Sequence, residues 1–207
     1  MKKEADYLSD ISEIRSIMER SSRFISLSGL SGVLAGVYAL IGAYAAYKIL
    51  YTEDDTVYDA FTIGQHSGRF ILLTLDGLIV LGLAVGTGAF LSVRRAKQQQ
   101  QSIWDESAKR LLINLLIPLV TGGVFVLLLY LRDYYSLIIP ATLIFYGLSL
   151  INASKYTLTD IRYLGFSEIA LGLIAAYFYG YGLLFWVVGF GVLHIVYGAL
   201  MYFKYEK

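Results

Sequence analysis

Two ionisable residues lie deep inside long apolar runs of this 207-residue chain: Glu168, in GFSEIALG, and His194, in GFGVLHIVYG. An acid beside an imidazole can share, hold or relay a proton. A charge near the centre of a membrane helix costs ~2.5–3.5 kcal/mol on insertion scales, so each group needs a partner or a function. Glu168 is bracketed by Gly165 and Gly172, and His194 by Gly191 and Gly198, at spacings of three and four. Each group therefore shares a helix face with small residues, where helices pack closely and lipid is excluded. Asp76 is the other acid within an apolar run, seven residues beyond Arg69. That spacing puts the two on one face but ~10 Å apart along the axis, too far for direct pairing. Asp76 either lines an outer vestibule with Tyr44 or hydrogen-bonds a neighbouring helix.

The elements that must position these groups are membrane spans. The chain is 57% hydrophobic and only 16% charged. Apolar stretches of about 20 residues recur, long enough to cross a ~30 Å hydrocarbon layer. Six spans are predicted, near 24–50, 69–93, 110–131, 135–154, 161–179 and 183–203. The fold class is thus all-α, a six-helix transmembrane bundle occupying 23–207. It is preceded by a cytoplasmic amphipathic helix over 1–22, in which Leu8, Ile11, Ile14 and Met18 recur at helical spacing. That helix either lies on the inner membrane surface or packs under the bundle, or else serves to dock a cytoplasmic protein partner or to dimerise. Lysine and arginine divide 14 to 3 between the two sides, which places both termini in the cytoplasm. Tyrosines at the span ends suit the headgroup layer of the lipid bilayer.

Geometry then brings the groups together. Spans 5 and 6 are joined by the short turn Tyr179-Gly180-Tyr181-Gly182 and are expected to pack as an antiparallel hairpin. Glu168 then lies level with about position 193, beside His194, with Tyr146 near the same depth. Spans 3 and 4, turning near Asp133, set Asn114 level with Asn152. The expected site is a cavity lined by Glu168, His194, Tyr146, Asn114 and Asn152. The pair reads equally as a proton-linked or substrate site and as a buried polar contact that fixes helix register. Pro118 and Pro140 are expected to kink spans 3 and 4. Span 1 carries a continuous small-residue stripe, Gly29, Gly32, Gly36, Ala39, Ala43 and Ala46, which packs on another span or on a second copy in a homo-oligomer.

Other chemistries lack their residues. There are no cysteines and two histidines, His66 and His194, so no metal site or cofactor is expected. No Gly-x-Ser-x-Gly or phosphate-binding loop occurs, and an enzyme is not expected. A net charge of +1 gives no footprint for nucleic acid.

The strings RSSRFISLSGLSGVLAGVYALIGAY, NASKYTLTDIRYLGFSEIALGLIA and YGYGLLFWVVGFGVLHIVYG resemble an uncharacterised family of small six-span integral membrane proteins of Bacteroidota-type bacteria. The resemblance implies a bacterial inner-membrane location and carries no functional residues. The expectation is a small transporter or channel, with a non-transporting interaction or sensor protein as the alternative.

Overall fold

The computed structural model describes residues 28–51, 67–98, 104, 106–178 and 180–207. The amphipathic segment 1–22 and the loop containing His66 lie outside the described residues. Six helices follow: α1 (Gly29–Leu50), α2 (Ser67–Gln98), α3 (Glu106–Leu131), α4 (Ile138–Ala153), α5 (Asp160–Tyr177) and α6 (Gly182–Tyr205). Short 3₁₀ turns, Tyr135–Leu137 and Ser154–Tyr156, flank α4, and no strand occurs among the described residues. Helix is what an apolar environment demands, because every backbone N–H and C=O must find its partner within the segment.

Five of these helices are long and apolar enough to cross a membrane: α1, α2, α3, α4 with its flanking turns, and α6. Their length and apolar composition support a helical membrane protein. Helix α5 is different. Its 18 residues reach about 27 Å, and Asp160, Arg162 and Glu168 interrupt its apolar character.

The helices form two groups of three. In the first, α1 packs antiparallel against α6, and α2 packs on α1. In the second, α4 packs against α5, and α3 packs on α4. Glycines make both central contacts. A Cβ on Gly36 would sit 2.6 Å from the Gly191 carbonyl and 2.6 Å from Ile195, and one on Gly32 would sit 3.1 Å from the Gly198 Cα. Gly29 meets the backbone of Gly198 and Tyr202 in the same way. Across α4 and α5, Gly147 and Gly165 face each other's carbonyls, at 2.6 and 2.8 Å from the added Cβ, and Gly172 packs on Pro140 and Ile144. Backbones this close gain dispersion contacts along their whole length, which is the main source of attraction between helices in lipid.

This arrangement corrects the expected hairpin. Helices α5 and α6 touch only lightly. The glycines beside Glu168 seat α5 on α4, whereas those beside His194 seat α6 on α1. The turn at Gly180, where φ is +95°, is passable for glycine and strained for other residues, and it lets the chain leave one group and enter the other. The stripe on α1 is likewise covered within the chain. Gly29, Gly32 and Gly36 lie under α6, Gly42 abuts Val80 and Asp76 of α2, and Ala39, Ala43 and Ala46 are buried. Within the chain, the stripe packs on other spans.

The prolines behave differently from each other. Pro140 falls in the first turn of α4, where its missing N–H removes no helical bond. Pro118 sits inside α3, so the carbonyl four residues earlier, that of Asn114, loses its helical donor.

The glycine contacts predict a graded response. Gly36→Ala and Gly165→Ala should each destabilise the protein by about 1–3 kcal/mol in detergent unfolding, the usual cost of overpacking. Gly86→Ala and Gly123→Ala, which point into open space, should leave stability unchanged or raise it by up to about 1 kcal/mol.

Candidate functional site

Glu168 lies on the face of α5 turned toward the other group of helices. It has no solvent-accessible surface, and His194 retains 7%. The side chain reaches across the seam to α6. A Cβ on Gly189 would lie 2.6 Å from Glu168 Oε2 and 2.6 Å from Leu143 of α4, so the missing methyl is what makes room for the carboxyl. The α6 backbone is π-helical from Val187 to Leu193, around Gly189 and Gly191. Such wide turns inside α-helices recur at functional sites.

The hydrogen bonds of His194 settle its protonation pattern. Nδ1 lies 3.0 Å from the Gly189 carbonyl oxygen, and Nε2 lies 2.8 Å from the Tyr146 hydroxyl. A carbonyl only accepts, so Nδ1 carries the hydrogen. In the neutral ring Nε2 then accepts from Tyr146. Phe190 and Tyr146 stack on the imidazole at centroid distances of 5.9 and 5.4 Å, with Trp186 behind Phe190.

Glu168 has no such provision. Its Oε1 is 3.6 Å from His194 Nδ1, beyond hydrogen-bond range, and neither carboxyl oxygen has a hydrogen-bond partner among the described residues. Most buried polar atoms in proteins are paired, and one that is not needs a reason. An isolated carboxylate without a hydrogen-bond donor would be costly here. The group fits its place as a carboxylic acid, or as the anionic half of an ion pair should His194 take up a proton. What the arrangement can do chemically is pass the Nδ1 proton of a doubly protonated imidazole to the Glu168 carboxylate once the 3.6 Å gap closes. That leaves a neutral ring whose hydrogen is on Nε2, facing the Tyr146 oxygen.

The expected site is therefore assembled only in part. Glu168, His194 and Tyr146 meet. Asn114 and Asn152 also meet, but away from the acid. Asn152 Nδ2 donates to the Asn114 carbonyl at 2.9 Å, the same carbonyl that Pro118 leaves without a donor, and Asn114 Nδ2 donates back to Arg110 O at 2.8 Å. Asn152 lies six residues beyond Tyr146, about 9 Å along the helix. It supplies the donor that the Asn114 carbonyl of α3 lacks, away from Glu168. Asp76 belongs to the other group, half-buried against Gly42 of α1. Tyr44, proposed to share a vestibule with it, is 65% exposed. A small cavity among the described residues also lies elsewhere. It measures about 50 Å³ and opens near the Gly180 turn, between Tyr135, Ile139, Ala175, Phe178 and Gly182. Ala175 is two helical turns from Glu168, so this cavity stops short of the acid.

Sequence reasoning missed Gly189, whose only signal was a third glycine near Gly191. It also missed a polar cluster where α6 ends. Lys204 Nζ bonds both Asp160 oxygens, at 3.1 and 2.9 Å, and Tyr205 donates to Asp160 at 2.6 Å. Glu206 pairs with Arg95 at 2.8 Å and accepts from the Gly29 N–H and from Ser28 Oγ.

Two substitutions test these bonds. Tyr146→Phe leaves His194 Nε2 buried without a donor and should cost about 1–3 kcal/mol of stability. Asn152→Leu should cost about 1 kcal/mol in the native sequence. It should cost less in a Pro118→Ala background, where residue 118 regains the N–H that bonds Asn114. A double-mutant cycle measures that coupling directly.

The sequence matches no protein-family model, and no curated protein or solved structure matches the chain.

Proposed function

We propose that the protein is a small proton-linked transporter in which Glu168 is the proton-carrying group and His194 its relay. One observation carries this reading: a fully buried carboxyl, with both oxygens unpartnered, lies at the seam between two groups of three helices. A carboxyl kept only to fix helix register would be expected to have donors around it. The imidazole beside it already has both nitrogens occupied. A small shift of the Nδ1–H from the Gly189 carbonyl to Glu168 Oε1 would transfer a hydrogen bond across the seam. Rocking of one group against the other would make or break that contact, as alternating access requires.

In this reading α5 crosses the membrane with the other five, despite its three charged residues. Asp160 and Arg162 stay at the surface, and Glu168 faces protein rather than lipid. The chain then makes six crossings of a bacterial inner membrane with both termini cytoplasmic, in keeping with the bias of lysine and arginine toward the end where α6 finishes.

A second reading has its own support. The cavity near the Gly180 turn stops short of Glu168, which suits a non-transporting interaction or sensor protein whose 1–22 segment binds a cytoplasmic partner.

The two readings separate in proteoliposomes. Under an imposed membrane potential, the wild type should take up protons, read by an internal pH dye, and Glu168→Gln should not. Infrared spectra should contain a protonated-carboxyl band that Glu168→Gln removes. Equal uptake by both proteins would take the proton role from Glu168. Deleting residues 1–20 should leave uptake intact, whereas loss of a cellular phenotype on that deletion alone would favour the second reading.

A further inference from the structure

The seam between the two helix groups is closed differently at its two ends. Near the Gly180 turn it holds the small cavity. Toward the end where α6 finishes, an apolar plug follows Glu168: Ile161 and Leu164 of α5 against Leu150 of α4 and Met201 of α6. Beyond the plug, three consecutive residues span the seam. Lys204 and Tyr205 hold Asp160 at the start of α5, and Glu206 holds Arg95 of α2 and the first turn of α1.

We propose that Lys204-Tyr205-Glu206 is a latch that closes this end of the seam, hinged on the α1–α2–α6 group and released from Asp160. The two attachments are unequal. The Arg95 and Glu206 side chains are 12% and 15% exposed, and Arg95 also donates to the Tyr205 carbonyl at 2.8 Å. Lys204 is 59% exposed and Asp160 24%. Exposed pairs contribute little to stability, and shielded charge-assisted ones contribute more. Opening would therefore break the contacts to Asp160 first and leave the segment on its own group. The side chains of the plug are themselves apolar, and the polar contact described across the seam beneath them is the Tyr146–His194 bond. The route so opened would lead past Leu164 to Glu168, so the latch rests on the reading of Glu168 as a site reached from two sides.

The chain has no cysteine, so a single Leu164→Cys reporter can be read without background. A membrane-impermeant thiol reagent is applied from each face of vesicles containing the full chain. Lys204→Glu should raise the reaction rate of the reporter several-fold from one face, and so should the milder Tyr205→Phe. Adding Asp160→Lys to Lys204→Glu, which swaps the charges, should return the rate toward the original. An Ala175→Cys reporter, in the cavity at the far end, should not respond and serves as the check on folding. An unchanged Leu164→Cys rate in both latch variants overturns the latch, as does an increase that the charge swap fails to reverse. Accessibility does not depend on transport. A latch-dependent rate alongside proton uptake indifferent to Glu168→Gln would keep the latch and remove the transport reading.

Discussion

The structure depends on the close approach of backbones at two glycine contacts, α1 with α6 and α4 with α5. Lipid tails are as apolar as leucine, so nothing squeezes these helices together as water would. Cohesion has to come from contact, and contact is densest where the side chain is absent. Gly36 against Gly191 and Gly147 against Gly165 bring main chains within reach of one another along two interfaces. Each interface organises a group of three, and the looser contact between the groups becomes a seam.

That division explains where the polar chemistry lies. A buried acid within a tightly packed pair would have to displace backbone or be enclosed by it. At the seam, the missing side chain of Gly189 leaves space for the Glu168 carboxyl, and the π-helical turn around it offers a carbonyl to His194. Tyr146 comes from α4, Glu168 from α5 and His194 from α6, so the cluster exists only while the two groups are together. At one end the same seam is tied by Asp160, Lys204 and Tyr205. A weak boundary that carries an unpartnered acid at its centre and exposed charges at its rim has the makings of a moving part.

Polar groups elsewhere follow a different logic. Pro118 costs α3 a hydrogen bond, and Asn152 of the neighbouring helix replaces it. Read from sequence, Asn114 and Asn152 looked like a pair because their positions were level, and the pairing is real. Its purpose was hidden, because the consequence of Pro118 falls four residues away on a carbonyl that no side-chain pattern marks. The surroundings of Asp76 were hidden for a related reason. Its spacing from Arg69 was legible, but its neighbour turned out to be Gly42, set by how α1 and α2 cross.

The sequence by itself determined the membrane character, the helical class, and the lipid-shielded faces of Glu168 and His194. These follow from local periodicity and from the transfer cost of charge, which act on each segment alone. It also placed Glu168 and His194 at one depth, because a short turn constrains level whatever the helices pack against. Only the tertiary structure decided which faces met. A glycine stripe states that a helix can be approached closely and is silent on the partner, since every small-residue face offers the same contact. The choice of α1 for α6 and α4 for α5 is a property of the whole packing, and from it come the seam, the unpartnered carboxyl and the latch.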